Sequence, residues 1–289
     1  MHFTQAKTLV SRYNGMNVYR GCAHGCVYCD SRSTCYQFTH AFEDIEVKQN
    51  APELLEEFLR KRRKRCMIST GSMSDPYQPC EKELGLTRRC LELIDRYGFG
   101  ASVITKSDLI LRDLDLFDSI NRNAKSVLQM TLTVSDETLS RILEPNVCTS
   151  ARRYEVLKSF QRRGIPSVVW MTPLLPFLTD TEENLRRLLD CCFSANVKGI
   201  VCFGIGLTLR EGNREYFYRV LDRLFPGLSD EYCKTYGSAY VVSSPQNDRL
   251  MRIFHDECER RGVLHDPEDC FSYIAELPEA EKQLSLFDG

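Results

Sequence analysis

Apolar and polar positions along this chain switch repeatedly between two periods. Short apolar runs at Asn17-Val18-Tyr19, Cys66–Thr70, Ala101–Thr105, Ser126–Leu132, Ser167–Met171 and Gly199–Phe203 read as strands. Between them the spacing becomes helical. Residues 51 to 65 carry Leu54, Leu55, Phe58 and Leu59 on one face behind Pro52, which suits a helix start. Leu84–Tyr97 sets Leu86, Cys90, Leu93, Ile94 and Tyr97 in a stripe that Gly98 stops. Further helices are predicted over Leu109–Asn121, Ser150–Arg163 and Thr181–Ala195. About six strand-then-helix units in succession predict an α/β fold with parallel strands and right-handed crossovers, a partial (β/α)6 barrel of the TIM type with a C-terminal extension. For the last strand, Ile200-Val201-Cys202-Phe203, periodicity alone does not separate a strand from a buried helical turn. Residues 1–210 are expected to form the barrel core, 211–276 an extension packed on it, and 277–289 a mobile tail. Chemistry in such barrels gathers at the C-terminal ends of the strands, so the loops that follow them carry the candidates.

Composition narrows the class. The chain has 289 residues, 43% hydrophobic and 27% charged, with a formal net charge of -2, which excludes a globally basic nucleic-acid binder. A local basic patch exists at Arg60-Lys61-Arg62-Arg63-Lys64-Arg65, either solvated cations at a helix C-terminus or a phosphate-contacting surface. No apolar run of about 18 residues is present, and Met1-His2-Phe3-Thr4-Gln5 lacks a charged-then-apolar leader, so a cytoplasmic protein without membrane contact is expected. Most of the fourteen cysteines are scattered without framework spacing and read as reduced thiols.

Three cysteines are different. Cys22, Cys26 and Cys29 follow a Cys-x3-Cys-x2-Cys spacing, and Gly21 and Gly25 permit the tight backbone a metal loop needs. Electron-transfer clusters usually take four cysteines, so a set of three suggests one iron left open. Cys35 could close the set, and a four-thiolate zinc site is the main competitor, although no second paired element accompanies this one.

With this loop the chain resembles the radical S-adenosylmethionine superfamily, whose signature is the same spacing with an aromatic residue before the third cysteine, here Tyr28. The resemblance implies a 4Fe-4S cluster on Cys22, Cys26 and Cys29 and S-adenosylmethionine chelated at the open iron. It also implies an external one-electron reductant and a 5'-deoxyadenosyl radical that abstracts a substrate hydrogen. His24 matches a common variant and reads as a loop histidine hydrogen-bonded to backbone. Gly71-Ser72-Met73-Ser74-Asp75-Pro76-Tyr77-Gln78-Pro79 suffices as turn chemistry, yet it is similar to a segment of the spore photoproduct lyase-like, or DNA repair photolyase-like, branch. That similarity places Ser72, Met73, Ser74 and Asp75 at the cofactor's amino group, and Lys106 of Thr105-Lys106-Ser107 at its carboxylate. It puts Thr133 near the cofactor, Glu144 in an Arg-x-x-Glu-Pro turn begun by Arg141, and Pro173 and Phe203 beside the adenine. One departure matters. Ser72 stands where spore photoproduct lyases carry a hydrogen-donating cysteine; a serine O–H is too strong a bond to replace it, and Cys80 is the remaining candidate donor.

The end of the chain, Gln283-Leu284-Ser285-Leu286-Phe287, resembles the peptide by which bacterial DNA polymerases and repair proteins dock into the sliding clamp. Gln283 would set register while Leu284, Leu286 and Phe287 fill apolar pockets; otherwise the segment folds back over core. The expected function is therefore radical chemistry on damaged or modified DNA, tethered to the clamp. The same chemistry on RNA, peptide or a small molecule, and a non-catalytic iron-sulfur or zinc-binding clamp partner, are the alternatives.

Overall fold

A computed structural model describes residues 1–278. In chain order it builds β1 His2–Thr4, β2 Gly15–Met16, β3 Tyr19–Arg20, β4 Glu46–Lys48, α1 Ala51–Lys61, β5 Met67–Thr70, α2 Glu81–Leu84, α3 Leu86–Tyr97, β6 Gly100–Thr105, α4 Leu114–Asn123 and β7 Ser126–Thr131. It continues with α5 Glu137–Leu143, α6 Ser150–Arg162, β8 Ser167–Trp170, α7 Glu182–Ser194, β9 Gly199–Val201, β10 Gly206–Thr208, α8 Asn213–Leu224, α9 Leu228–Tyr236, β11 Val241–Ser243, α10 Asn247–Arg261 and α11 Pro267–Ala275. The predicted partial barrel is present: β2-β5-β6-β7-β8-β9 form one sheet of six parallel strands. Among the described residues no helix is long and apolar enough to cross a membrane.

Boundaries differ where long-range pairing overrides local pattern. The strand that joins the barrel first is Gly15–Met16, not Asn17–Tyr19; Tyr19 and Arg20 instead pair antiparallel with Val47 and Glu46 in a separate sheet. An apolar triplet says extended but not which neighbour it meets. The helix predicted over residues 51 to 65 ends at Lys61, because the basic run offers no apolar face to bury, and Arg62 turns extended. Gly85, at φ +60°, divides the helix predicted from Leu84.

The sheet's outer face, including Leu128, Met130, Val169 and Ile200, packs under the helices in the main core. Its inner face is layered. At the bottom α11 lays Cys270 and Ile274 against Met67, Val127, Val168 and Val201. Lys125 Nζ caps the last turn of that helix at the Tyr273 and Glu276 carbonyls. Above this, Gln129 bridges Ser102 and the Trp170 indole at 2.6 and 2.8 Å, satisfying the polar groups of a strand buried along its whole length. The top is left hollow. β10, β11 and α10 of the C-terminal region close over it from one side.

Gly71 marks the turn from β5 into this hollow. Its φ is +102°, and an added Cβ would run into the Ile104 carbonyl oxygen of the adjacent strand. Gly71→Ala is expected to cost ~1–3 kcal/mol, read as a lower urea midpoint at unchanged slope.

Candidate active site

The cysteine loop enters the hollow between β3 and β4, and its backbone is held from three directions. Gln78 accepts from the Ala23 amide at 3.1 Å and donates to the Gly21 carbonyl at 3.4 Å. Asn146 donates to the Ala23 carbonyl at 2.9 Å, and the Cys22 amide donates to the Phe42 carbonyl at 3.1 Å. That last approach is why position 21 is glycine, since a Cβ there would lie 2.5 Å from the Phe42 oxygen at φ +87°. Cys22, Cys26 and Cys29 are free thiols that line one cavity of about 840 Å³, within the size range of small-molecule sites.

Cys35, the candidate fourth thiol, is not in the cavity wall; it is exposed and takes a hydrogen bond from Arg210 at 3.3 Å.

Asp75 organises the wall opposite. Its carboxylate accepts from the Thr105 hydroxyl at 2.7 Å, the Lys106 amide at 2.8 Å and the Tyr77 amide at 2.8 Å, and meets His24 Nδ1 at 3.4 Å. Burial disfavours the charge, but His24 and these donors outweigh it and hold the carboxyl down at about 2. The same partner raises His24 to about 10 against the opposing pull of burial. The backbone bond expected of His24 is not what the structure shows; its side chain joins the cysteine loop to the ends of β5 and β6 through a buried carboxylate. Burial also raises the Cys22 thiol, yet the His24 hydrogen bond and charge prevail and hold it below the ordinary thiol value.

Behind the cysteines lies a buried charged group. Tyr28 donates its hydroxyl to Glu144 and sits 3.4 Å from the Thr133 hydroxyl. Glu144 is paired at 2.5 Å with Arg153, both side chains fully buried, and Arg153 also donates to the Thr131 and Cys148 carbonyls at 3.1 Å. The Arg-x-x-Glu-Pro turn suggests a pair between Glu144 and Arg141, but Arg141 is exposed and faces Glu137. The Lys106 ammonium lies 5.6 Å from the Tyr28 ring centroid and donates no hydrogen bond among the described residues. Burial opposes its charge, while Cys26 and Glu144 outweigh that and keep its pKa above the ordinary lysine value.

Of the other predicted residues, Ser72, Met73, Asp75, Pro173 and Phe203 line the cavity with Tyr28 and Lys106. Ser74, Thr133 and Glu144 do not; Ser74 is buried with its hydroxyl unpartnered, and the other two stand behind Tyr28. Cys80 precedes α2 and lies outside the cavity wall. Phe203, 60% exposed, packs edge-on against Trp170 and tilted against Phe271. Trp170, Gln78 and Arg153 are the contributors that sequence reasoning missed; Gln78 lies in the turn of residues 71–79 that follows β5, and Trp170 is the lone tryptophan, at a strand end. Asn247, Met251 and His255 of α10 also face the cavity. The basic run 60–65 precedes β5, at the opposite end of the strands from the cavity. Gln283–Phe287 lies outside the described residues.

A family profile described as Radical SAM superfamily matches residues 16–189, more than half of the chain. An uncharacterized protein of Mycobacterium tuberculosis is 31% identical over 242 residues, covering 80% of this chain and 69% of that protein. Another, of Methanocaldococcus jannaschii, is 33% identical over 171 residues, covering 58% and 62%. Among solved structures, a tyrosine-to-phenylalanine mutant of spore photoproduct lyase superposes with a TM-score of 0.63 at 14% identity, covering 91% of this chain and 80% of that one. A doubly substituted spore photoproduct lyase with bound AdoMet and dinucleoside spore photoproduct gives 0.59 at 14% identity, covering 86% and 74%. At such identity these two likenesses concern the fold.

Proposed function

We propose, from the premise that the chain belongs to the Radical SAM superfamily, that it is a radical S-adenosylmethionine enzyme acting on damaged or modified DNA. The superfamily uses a 4Fe-4S cluster and S-adenosylmethionine. The observation that carries the reading is three free thiols and one ammonium without a hydrogen-bond partner among the described residues, all facing the same cavity. Cys22, Cys26 and Cys29 would hold the cluster, leaving one iron for the cofactor. Bound together, these groups supply a 5'-deoxyadenosyl radical.

The chain's own residues bind and orient. Lys106 is suited to a carboxylate, because an ammonium in a half-buried wall gains most from an anionic partner. Ser72 and Met73 would receive the amino end, and Pro173 and Phe203 the adenine. Tyr28 is held by Glu144 and Thr133, so its ring cannot swing into the cavity. Leu207, Val242 and Met251 line the closing side with apolar surface. Replacing Lys106 by Met is expected to raise the KM for S-adenosylmethionine about 10- to 100-fold while iron content stays unchanged.

DNA as substrate is supported by the fold shared with spore photoproduct lyases and by exposed aromatic surface at the rim. Phe203 and Tyr240 stand 60% and 49% exposed, and Tyr240 takes a hydrogen bond from Arg210 at 2.9 Å, a pairing suited to bases and phosphate. The basic run, at the far end of the barrel, would serve only DNA that wraps the molecule. The Gln283–Phe287 segment would tether the enzyme to a sliding clamp; a tail peptide should bind bacterial clamp and lose binding with Leu286→Ala and Phe287→Ala.

The test is anaerobic reconstitution with iron, sulfide, dithionite and S-adenosylmethionine. Formation of 5'-deoxyadenosine, faster with irradiated DNA than with intact DNA or RNA, is the expected result. A correctly loaded cluster that yields none would leave a non-catalytic iron-sulfur protein.

A further inference from the structure

A second group of metal-type ligands lies outside the cavity. Among the described residues, His2 of β1, His40 of the loop preceding β4, and Glu46 of β4 bring one donor atom each to within 4.8 Å of one another. The two rings meet edge to face at 4.8 Å between centroids. Their hydrogen bonds are what distinguish this from a chance cluster. His2 Nδ1 faces the Asp44 carboxylate at 3.0 Å, and His40 Nδ1 faces the Ala41 carbonyl at 2.9 Å. An oxygen acceptor at Nδ1 sets each imidazole in the tautomer whose lone pair is on Nε2. Histidines that ligate metals are oriented in just this manner, by a carboxylate or carbonyl on the ring nitrogen away from the ion. The His40 Nε2 so presented is buried and has no hydrogen-bond partner; its nearest opposite charge is Glu46 at 3.7 Å.

We propose that His2, His40 and Glu46 bind one divalent transition-metal ion of the zinc class. Two imidazoles and a carboxylate are the donor set such ions prefer, with a fourth position for water. Bonds of about 2.0–2.1 Å place tetrahedral ligands about 3.3 Å apart, so the donor atoms draw closer on binding, the His40–Glu46 pair from 3.7 Å. His2, 40% exposed, has the freedom to do so. Three cations stand near the site: Arg20 Nη1, 4.0 Å from Glu46, is drawn away by its bonds to the Tyr36 and Gln37 carbonyls at 2.7 and 2.9 Å, Lys48 is turned to the Asn17 carbonyl at 2.9 Å, and the Met1 amino terminus is paired with Asp44 at 2.6 Å.

The ion would add a tie between β1, β4 and the loop that precedes β4. β1 pairs with β4, and the loop between the cysteines and β4 supplies the Phe42 carbonyl that receives the Cys22 amide. Metal at this point stiffens the outer support of the cysteine loop. The inference does not depend on which reaction the cavity performs.

The protein is reconstituted with its cluster, freed of adventitious metal with a chelator, and titrated calorimetrically with zinc chloride. One zinc per chain is expected beyond the cluster iron, with the cluster absorbance unchanged. Glu46→Gln, which keeps the side chain's shape, and His40→Ala should each weaken binding by at least about 10-fold, and Asp44→Asn by about 10- to 100-fold. A Cys22→Ala/Cys26→Ala/Cys29→Ala variant should retain the same stoichiometry. Cobalt(II) bound to that variant should show ligand-field bands without thiolate charge transfer. Absence of zinc binding by the wild type, equal binding by wild type and a Glu46→Gln protein of unchanged circular dichroism, or loss of binding with the cysteines would each overturn the proposal.

Discussion

Alanine at any one of Cys22, Cys26 or Cys29 is expected to leave a folded protein that has lost its cluster, with 5'-deoxyadenosine formation down about a thousandfold or more. The loop should survive because its shape is set by backbone bonds from Gln78, Asn146 and Phe42 rather than by the sulfurs. Iron analysis should fall from about four atoms per chain to background, since two remaining thiolates cannot hold a cubane that already relies on three. Cys35→Ala is the matched control. It is exposed and outside the cavity wall, so iron content and turnover should stay at wild-type level. Loss of the cluster on removing Cys35 would mean a fourth protein ligand and no open iron, and the radical mechanism would fail with it.

The second large effect is on stability. Arg153→Met should cost ~3–5 kcal/mol, because it strands the Glu144 carboxylate in a fully buried place without its cation. It also releases the Thr131 and Cys148 carbonyls that the guanidinium bonds. Burial disfavours the Glu144 charge, and Arg153 with Lys106 is what keeps its pKa below the ordinary value. Glu144→Gln leaves the complementary fault, an uncompensated guanidinium. The double variant Glu144→Gln/Arg153→Met removes both charges and should recover a substantial part of the loss in urea denaturation. A single Arg153→Met change costing under about 1 kcal/mol would show that this pair does not hold the wall behind Tyr28.

Much of the architecture was legible in local pattern. Strands β5 to β9 fall within a residue or two of the apolar runs that predicted them, because a strand covered on both faces leaves a near-continuous hydrophobic trace. The cysteine spacing was equally local, since three ligands within eight residues need no distant partner to be recognised. Legibility failed where a side chain's role depends on something far along the chain. His24 looks like a loop residue until Asp75 is seen beside it, and Glu144 looks paired with Arg141 until the fold turns it inward to Arg153. Gln78 gives no signal of its own, being a turn residue until its amide is placed against the Gly21 and Ala23 backbone.

Sequence alone, then, determined the α/β order, the three thiols and the family that carries them, since each is written in spacings of a few residues. Only the tertiary structure decided that the thiols share a cavity with Lys106, that Asp75 and Glu144 hold its walls, and that the basic run faces away. The reason is physical: periodicity records which face of an element is buried, whereas a site is made by what distant elements bring to one point, and burial strengthens charges only once they meet.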